Sequence, residues 1–341
     1  MTVDKDYVLQ LAKEILMIPS PSGYTKEIIS RIKQEADSYN LAYEETKKGN
    51  LIITMEGKTD KTVGLAVHVD TLGAMVRSIT SDGELKFTSI GGPLWPTLDG
   101  EYCTIRTRDG KDYTGTFLST SPAVHVFKDA KDIPRNPENM TVRIDEQVKS
   151  KDDVLDLGIE VGNYIFFDPK TTITDSGFVK SRFLDDKINV ASIFGLIKAM
   201  QENDIKPNAT VKFIISTYEE VGHGSAFIPE MDEFIAVDMG CIGDDLSCTE
   251  YDVSICAKDS SGPYDFDLTS KFSTLAKDNH LNHAVDIYPY YGSDVSAARS
   301  AGNDFKGALI GPGVHASHGM ERTHYQAIES TIQLLKLYLT H

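Results

Sequence analysis

The stretch Val63-Gly64-Leu65-Ala66-Val67-His68-Val69-Asp70 decides the fold, because an unbroken apolar run passes directly into two polar side chains. A strand that is apolar on both faces is typical of the middle of a sheet covered by helices on both sides. Two further runs behave alike: residues 210–217 lead into Glu219-Glu220, and residues 234–237 lead into Asp238. Ligands bind at the carboxyl ends of strands in open α/β sheets, so we expect one polar site at this edge.

Strands alternate with helices on both sides of a different central segment. Amphipathic helices are predicted over residues 7–17, from residue 25, over 186–200 and over 325–339. We therefore expect an α/β fold, a mostly parallel sheet sandwiched by helices, built from residues 1–73 and 165–341.

The central segment, residues 74–164, has a β-rich pattern. Asp82-Gly83 and Asp109-Gly110 each separate two short strand-like runs, which predicts two β-hairpins. No long amphipathic helix is predicted here, so we expect a smaller, barrel-like β domain inserted into the α/β domain.

Composition excludes several classes of protein. Of the 341 residues, 40% are hydrophobic and 25% charged, which is ordinary for a globular chain. No apolar stretch reaches the ~18 residues that a membrane helix needs, and the first 19 residues carry charges, so we expect a cytoplasmic protein without a signal peptide. A formal net charge of -17 repels nucleic acid and anionic membranes, so neither is an expected partner. The four cysteines form no CxxC pair and predict no disulfide framework.

The polar residues at the strand ends have the side chains of a metal site. His68, Glu219-Glu220 and Asp238 are joined by Asp185-Asp186 at a helix start and by three histidines at 315, 318 and 324. Each alone has a structural explanation, such as a hydrogen-bonded histidine, a helix cap or a solvated loop, but the combination favours a site for Zn²⁺, Co²⁺ or Mn²⁺. Because side chains two apart share a strand face, Asp70 is expected to hydrogen-bond the far nitrogen of His68.

At this point the sequence resembles a known family. The motifs Val67-His68-Val69-Asp70, Gly91-Gly92, Phe183-Leu184-Asp185-Asp186-Lys187, Tyr218-Glu219-Glu220-Val221-Gly222 and Val237-Asp238 resemble, in order and spacing, those of the dinuclear-metal aminopeptidases of the glutamyl aminopeptidase and tetrahedral (TET) aminopeptidase family. Some members of that family are labelled deblocking aminopeptidases and others endoglucanases. The resemblance covers nearly the whole chain.

The resemblance implies two divalent metal ions per subunit. His68 and Asp238 would bind one ion, Glu220 and a C-terminal histidine the other, and Asp185 would be shared. Glu219 would be the general base, with Asp70 supporting His68. The resemblance also implies that the Asp185-Asp186 peptide bond is cis.

The last histidine ligand departs from the family pattern. The family has a His-Ser/Thr-Pro-x-Glu run, whereas this chain has Ser317-His318-Gly319-Met320-Glu321. His318 lies one residue from the family register and His315 two residues from it, so we expect His318 to be the ligand and retain His315 as the alternative. His324 is expected to cap or pack under the final helix.

The implied activity is that of a metal-dependent aminopeptidase that releases the N-terminal residue of short peptides. One alternative is a related metal-dependent deacylase or carboxypeptidase-like hydrolase, and another is a scaffold that has lost the chemistry. A glycoside hydrolase would need two carboxylates and no metal, but a single tryptophan supplies little surface for stacking on sugars. The sequence leaves open the native metal and whether acidic or apolar N-terminal residues are preferred.

The resemblance also implies a homo-oligomer, from a dimer to a twelve-subunit tetrahedral shell, with residues 74–164 acting as lid and oligomerisation domain. Trp95, with Pro93, Leu94 and Pro96, has two interpretations. It supplies apolar contact area between subunits, or it packs within its own domain.

Overall fold

The computed structural model describes residues 3–341, which divide into two compact units. One comprises the described residues up to Thr71 together with Lys170–His341, and the other comprises Leu72–Pro169. The second unit thus starts two residues before the predicted segment 74–164 and ends five residues after it.

The N-terminal part of the first unit contributes two helices and three strands. In chain order these are α1 (Lys5–Leu16), α2 (Lys26–Ser38), β1 (Ala42–Glu45), β2 (Leu51–Met55) and β3 (Thr62–His68). Helix α1 begins where the Asp4 side chain accepts the Tyr7 main-chain N–H at 3.0 Å. Such N-capping satisfies one of the free donors at a helix start.

The second unit is a closed six-stranded barrel. Its elements are β4 (Gly73–Ile79), β5 (Leu85–Ile90), a 3₁₀ turn (Trp95–Thr97), β6 (Tyr102–Arg106), β7 (Asp112–Ser119), β8 (Met140–Ile144), the short helix α3 (Lys151–Asp156) and β9 (Tyr164–Phe167). The strands close in the order β4-β5-β8-β7-β6-β9. Both predicted hairpins are present, as β4-β5 and β6-β7.

Aromatic rings fill the barrel. The Trp95 ring lies 4.8 Å from that of Phe87 and 5.9 Å from that of Phe117, centroid to centroid, and Phe167 completes the cluster. Only 8% of Trp95 is exposed. Of its two interpretations, packing within its own domain is therefore the correct one, whereas its neighbour Leu94 is half exposed at 51%.

The C-terminal part of the first unit supplies the remaining strands and helices. These are β10 (Thr172–Ile173), β11 (Phe178–Ser181), α4 (Leu184–Glu202), β12 (Thr210–Ser216), a 3₁₀ turn (Glu219–Val221), β13 (Glu233–Val237), β14 (Gly240–Cys241), β15 (Val253–Asp259), β16 (Gly262–Pro263), α5 (Phe266–Asp278), β17 (His283–Ile287), α6 (Asp294–Ser300), β18 (Lys306–Val314), β19 (Glu321–His324) and α7 (Tyr325–Thr340).

A ten-stranded mixed sheet runs through this unit in the order β1-β2-β12-β3-β13-β18-β15-β16, with β14 beside β18 and β17 beside β15. Its central strands β12, β3, β13 and β18 are mutually parallel, and β1 and β2 pair antiparallel with their neighbours. Strand β15 pairs antiparallel with β18 and β16 and parallel with β17. The predicted α/β fold with an inserted barrel is confirmed.

Strand register brings the ends of the central strands together. Ser216 at the end of β12 pairs with His68 at the end of β3, and Ala236 near the end of β13 pairs with Ala66. The side chains that follow these strands therefore emerge at one sheet edge, as parallel pairing requires.

Helices cover the sheet. On one face Val295 and Ala298 of α6 belong to an apolar cluster with Ala66, Ala236 and Leu309. Helix α4 packs against β3 and against α1 and α7. Its Gly195 approaches so closely that a Cβ there would lie 2.5 Å from a methyl carbon of Val8. In the described part of the chain, no helix combines the length and apolarity needed to cross a bilayer.

Candidate metal centre

Strand β3 delivers His68 to the sheet edge in a buried position. Its Nδ1 lies 2.9 Å from the main-chain carbonyl oxygen of Asp70, and its Nε2 lies 3.0 Å from Oδ1 of Asp185. Because a carbonyl can only accept, Nδ1 carries a proton, and Nε2 is the nitrogen that faces Asp185. A metal-binding histidine likewise donates one ring N–H to the protein and turns its other nitrogen to the site.

The Asp70 carboxylate has a different task from the one expected. It lies 3.7 Å from His68 Nδ1, beyond hydrogen-bond distance, so the Asp70 carbonyl and not its side chain orients the imidazole. The carboxylate instead accepts the Glu219 N–H at 3.0 Å, the Glu220 N–H at 3.2 Å and the Ser22 hydroxyl at 2.5 Å. Asp70 thus holds the turn that carries both glutamates.

Glu219 and Glu220 occupy that turn directly after β12. Oε2 of Glu219 lies 3.7 Å from His68 Nε2, and Oε2 of Glu220 lies 3.5 Å from His318 Nε2. The two carboxylates therefore face different imidazoles. Burial raises the pKa of both glutamates well above the usual value.

Asp185 and Asp186 stand at the start of α4, joined by a cis peptide bond as the resemblance implies. The two oxygens of Asp185 approach two histidines, Oδ1 at 3.0 Å from His68 and Oδ2 at 3.6 Å from His318. Burial alone would raise the pKa of Asp185, but the hydrogen bond with His68 and the neighbouring imidazoles lower it overall.

The Asp186 carboxylate is committed to the protein itself. It accepts the His68 main-chain N–H at 3.1 Å and the side-chain amide of Asn189 at 2.6 Å. No metal-binding or catalytic role was predicted for Asp186, and its two hydrogen bonds connect the end of β3 to helix α4.

Asp238 follows β13 and is buried. It accepts the Met239 N–H at 2.6 Å, and burial raises its pKa to about 7. The Tyr291 hydroxyl, which donates to the Met239 carbonyl at 3.0 Å, also interacts with this carboxylate. No sequence pattern had indicated Tyr291.

The three C-terminal histidines have different environments. His318 reaches Asp185 and Glu220, while His315 is exposed and pairs through its main chain with Arg322. His324 caps α7, since its Nδ1 accepts the Gln326 N–H at 3.1 Å, which confirms the role expected of it.

Glu321 fastens the His318 loop to the start of α4. One carboxylate oxygen accepts the His318 N–H and the other accepts the Asp185 N–H, both at 3.0 Å. Its position three residues after His318 is the spacing at which a side chain can cap a turn, and this was the available sequence signal.

The donor set fits divalent metal ions. Ligand atoms around one Zn²⁺, bound at about 2.0–2.2 Å, lie roughly 3–4 Å apart. The separations between His68 and Asp185, His318 and Glu220, and His318 and Asp185 span 3.0 to 3.6 Å. Two compact groups of ligand atoms stand out: His68 with Asp185 and Glu220, and His68 with Asp186 and Asp238. Buried carboxylates in such numbers call for cations to balance them.

Comparisons with known proteins identify a family of aminopeptidases. The sequence model of the family described as M42 glutamyl aminopeptidase matches residues 49–334. A Bacillus subtilis (strain 168) protein named "Putative aminopeptidase YhfE" is 48% identical over 97% of this chain and 96% of its own length.

Two solved structures have the same fold. The TET aminopeptidase of Thaumarchaeota archaeon SCGC AB-539-E09 superposes with a TM-score of 0.88 at 20% identity, covering 98% of this chain and 96% of its own. The Pyrococcus horikoshii TET1 peptidase, described as assembling into a tetrahedron or a large octahedral shell, gives 0.85 at 23% identity and covers 98% and 99%.

This chain belongs to the M42 glutamyl aminopeptidase family. It is a peptide-bond hydrolase of the metal-dependent aminopeptidase type, with a cluster of histidine and carboxylate side chains suited to divalent ions.

Proposed function

We propose that the protein releases the N-terminal residue of short peptides with two divalent ions bound at the sheet edge. His68 and Asp238 would hold one ion, Glu220 and His318 the other, and Asp185 both. The two oxygens of Asp185, each facing a different histidine, support the shared role.

The observation that carries the proposal is the convergence of separate chain segments. Strands β3, β12 and β13, the start of α4 and the loop before β19 bring their side chains to one place, although residues 68 and 318 are 250 positions apart in the chain. Asp186 lies in one of the compact groups, but both its oxygens already accept hydrogen bonds, which favours an anchoring role.

Two ions bound there would lower the pKa of the attacking water and polarise the scissile carbonyl. Glu219 accepts the proton of that water and returns it to the leaving amine, so the proton balance closes within one turnover. The raised pKa of Glu219, caused first by burial, suits a group that must both take up and give back a proton. Asp70 fixes the Glu219 main chain while this happens.

The first test compares free and blocked substrates. Leucyl- and glutamyl-p-nitroanilide are assayed beside their N-acetyl forms, with protein that has been stripped by chelator and reloaded with Zn²⁺, Co²⁺ or Mn²⁺. We expect hydrolysis only of the free amines and only after reloading. Release of acetate from the N-acetyl substrates would indicate a deacylase, and metal-independent cleavage of soluble cellulose a glycoside hydrolase.

The second test is Glu219→Gln, which keeps the size of the side chain and removes the base. General base catalysis typically contributes ~10²–10⁴-fold, so kcat should fall by that factor. The bound metal, measured by elemental analysis, should equal that of the wild type. Near-native turnover would show that Glu219 is not the base.

We further propose a homo-oligomer, since a related TET peptidase is described as a shell. The barrel unit exposes several apolar side chains that could supply contact area, namely Leu94, Tyr102, Val124 and Val126. Light scattering at two salt concentrations should give a mass that is a multiple of 37.6 kDa, up to twelvefold for a tetrahedral shell. A monomer mass would refute the assembly. Cytoplasmic location stays a prediction.

A further inference from the structure

A second buried carboxylate, apart from Asp70, contacts the segment that carries the glutamates. Asp294 is the first residue of helix α6 and is 2% exposed. It lies 75 positions along the chain from Glu219 and is none of the proposed metal ligands.

Both oxygens of Asp294 accept hydrogen bonds from the two ends of this segment. Oδ2 accepts the Ser216 hydroxyl at 2.6 Å, at the last residue of β12. Oδ1 accepts the Ser225 N–H at 2.7 Å, on the far side of the glutamate turn. Asp294 therefore bridges the base of residues 216–225, which we call the glutamate loop. Asn50 forms a second bridge there, since its side chain accepts the Thr217 hydroxyl and donates to the Gly224 carbonyl, both at 2.9 Å.

The packing inside the loop is equally tight. A Cβ on Gly224 would lie 2.4 Å from Asp294 Oδ1, 2.9 Å from Ser216 Oγ and 3.0 Å from the main-chain nitrogen of Glu219. Only a glycine leaves room for these three groups to meet. The main chain of Glu219 and the carboxylate of Asp294 thus both lie next to Gly224.

The supports of the loop have separate tasks. Asp70 holds its tip through the N–H groups of Glu219 and Glu220, and Asp294 holds its base together with Asn50. With the Asp294 bonds removed, the outer ends of the loop at Ser216 and Ser225 would loosen, the tip could pivot about Asp70, and the Glu219 carboxylate would move relative to His68.

We infer that Asp294 is a positioning residue for the general base. It keeps the glutamate loop closed, so that the Glu219 side chain stays in place at the sheet edge. The inference rests on the proposed function of Glu219, and it needs the geometry of the Asp294 bonds but not the charge of the side chain.

The experiment compares Asp294→Ala with Asp294→Asn in the metal-loaded enzyme. Alanine removes both acceptors, whereas asparagine can still accept from Ser225 and donate to the Ser216 oxygen. A misplacement of about 1 Å in a catalytic group costs roughly 10²-fold. We therefore expect kcat to fall by about that factor in Asp294→Ala with KM and metal content unchanged, and to be largely restored in Asp294→Asn.

A readout other than turnover follows the loop directly. Hydrogen exchange measured on peptides covering residues 216–226 should become faster in Asp294→Ala and stay near the wild-type rate in Asp294→Asn. If Asp294→Ala does not fold, Ser216→Ala removes only the Oδ2 bond and should change kcat and exchange in the same direction by less.

Asp286→Ala is the matched control. Asp286 is a buried carboxylate that holds another loop by the same kinds of bonds, from the Ser247 N–H and hydroxyl at 2.8 Å each and the Cys248 N–H at 2.9 Å. It should lower the melting temperature without speeding exchange in the glutamate loop.

The outcomes separate the two proposals. Native kcat in Asp294→Ala, or equal damage in Asp294→Asn, overturns the positioning role while Glu219→Gln is inactive. Full turnover in Glu219→Gln overturns the proposed function, whatever the Asp294 variants show. Loss of metal in proportion to kcat in Asp294→Ala also overturns the positioning role.

Discussion

The barrel and the carboxyl edge of the large sheet are both buried, but they bury opposite kinds of groups. The barrel encloses the rings of Phe87, Trp95, Phe117 and Phe167, whose removal from water stabilises the fold. The sheet edge encloses carboxylates whose pKa values are raised by that same burial, as at Asp238.

The difference shows where the molecule gains stability and where it gives some up for function. A buried carboxylate without a cation costs free energy, so the sheet edge is stable through its hydrogen bonds and through the ions it is suited to bind. Substitutions in the barrel should therefore act on unfolding, and substitutions at the sheet edge on metal binding and turnover.

The largest effect is expected from Phe117→Ala in the barrel, which should lower the free energy of unfolding. Removing a fully buried phenylalanine typically costs ~3–5 kcal/mol in the free energy of unfolding, and Phe117 has no exposed surface. Urea unfolding and hydrogen exchange of barrel peptides should report this loss. The kcat of the folded protein should not change.

The control in the barrel is Val126→Ala, at a side chain that is 74% exposed, and it should leave unfolding within ~0.5 kcal/mol of the wild type. A fall in kcat for Phe117→Ala without faster exchange in the barrel would contradict the expectation that barrel substitutions act on unfolding and not on turnover.

The next largest effect is expected from His318→Ala at the sheet edge, which should weaken metal binding. It removes the imidazole that lies 3.5 Å from Glu220 and 3.6 Å from Asp185. Loss of a ligand should weaken metal binding by more than the ~10–100-fold that outer-shell partners cost. Titration with Co²⁺ and assay of turnover would measure it, with little change in barrel exchange.

His315→Ala is the paired control, because His315 was the alternative ligand and is exposed. It should bind metal and turn over substrate like the wild type. Equal losses in the two variants would mean that the loop as a whole, and not His318, determines metal binding.

The smallest effect is expected from Glu321→Gln. Glutamine keeps the volume but turns one acceptor into a donor that faces the N–H of His318 or Asp185. We expect metal affinity to fall ~10–100-fold, as for other groups that orient ligands. Glu250→Gln, which removes one charge of the surface pair with Arg322, is the control and should leave affinity unchanged. Unchanged metal affinity in Glu321→Gln would show that the loop carrying His318 keeps its conformation without the Glu321 hydrogen bonds.

Much of the fold could be predicted because local pattern and tertiary structure agree there. The run from Val63 to His68 is apolar on both faces and does lie in the centre of the sheet. The turn residues Asp82-Gly83 and Asp109-Gly110 do join paired strands. Whether Trp95 packs within its own domain or contacts another subunit could not be predicted, because the same apolar sequence suits both positions.

Part of the candidate site could also be predicted from the sequence. His68, Asp185, Glu219, Glu220 and Asp238 follow strands or begin a helix, and strand register alone brings most of them together. Their assigned roles stay predictions until the variants are measured.

The supporting contacts could not be predicted. Asp70 was expected to orient His68 with its carboxylate, but a main-chain carbonyl does so, and main-chain acceptors leave no mark in a sequence. No role of Asp294 was predicted, because it acts on the Ser225 N–H, a group that every residue type except proline offers, and on one hydroxyl. For Glu321, which accepts the His318 N–H, the spacing from His318 was the one available signal.

The barrel has a consequence for how the chain can be rebuilt. Its first and last strands are neighbours, with Ala74 paired to Ile165 and Met75 to Tyr164. The chain therefore enters and leaves the barrel along two adjacent antiparallel strands, whose paired Cα atoms lie about 4.5–5.5 Å apart. A gap of that size can be bridged by a linker of two or three residues. We therefore expect that the barrel strands can be excised, or exchanged for those of a relative, through such a short linker.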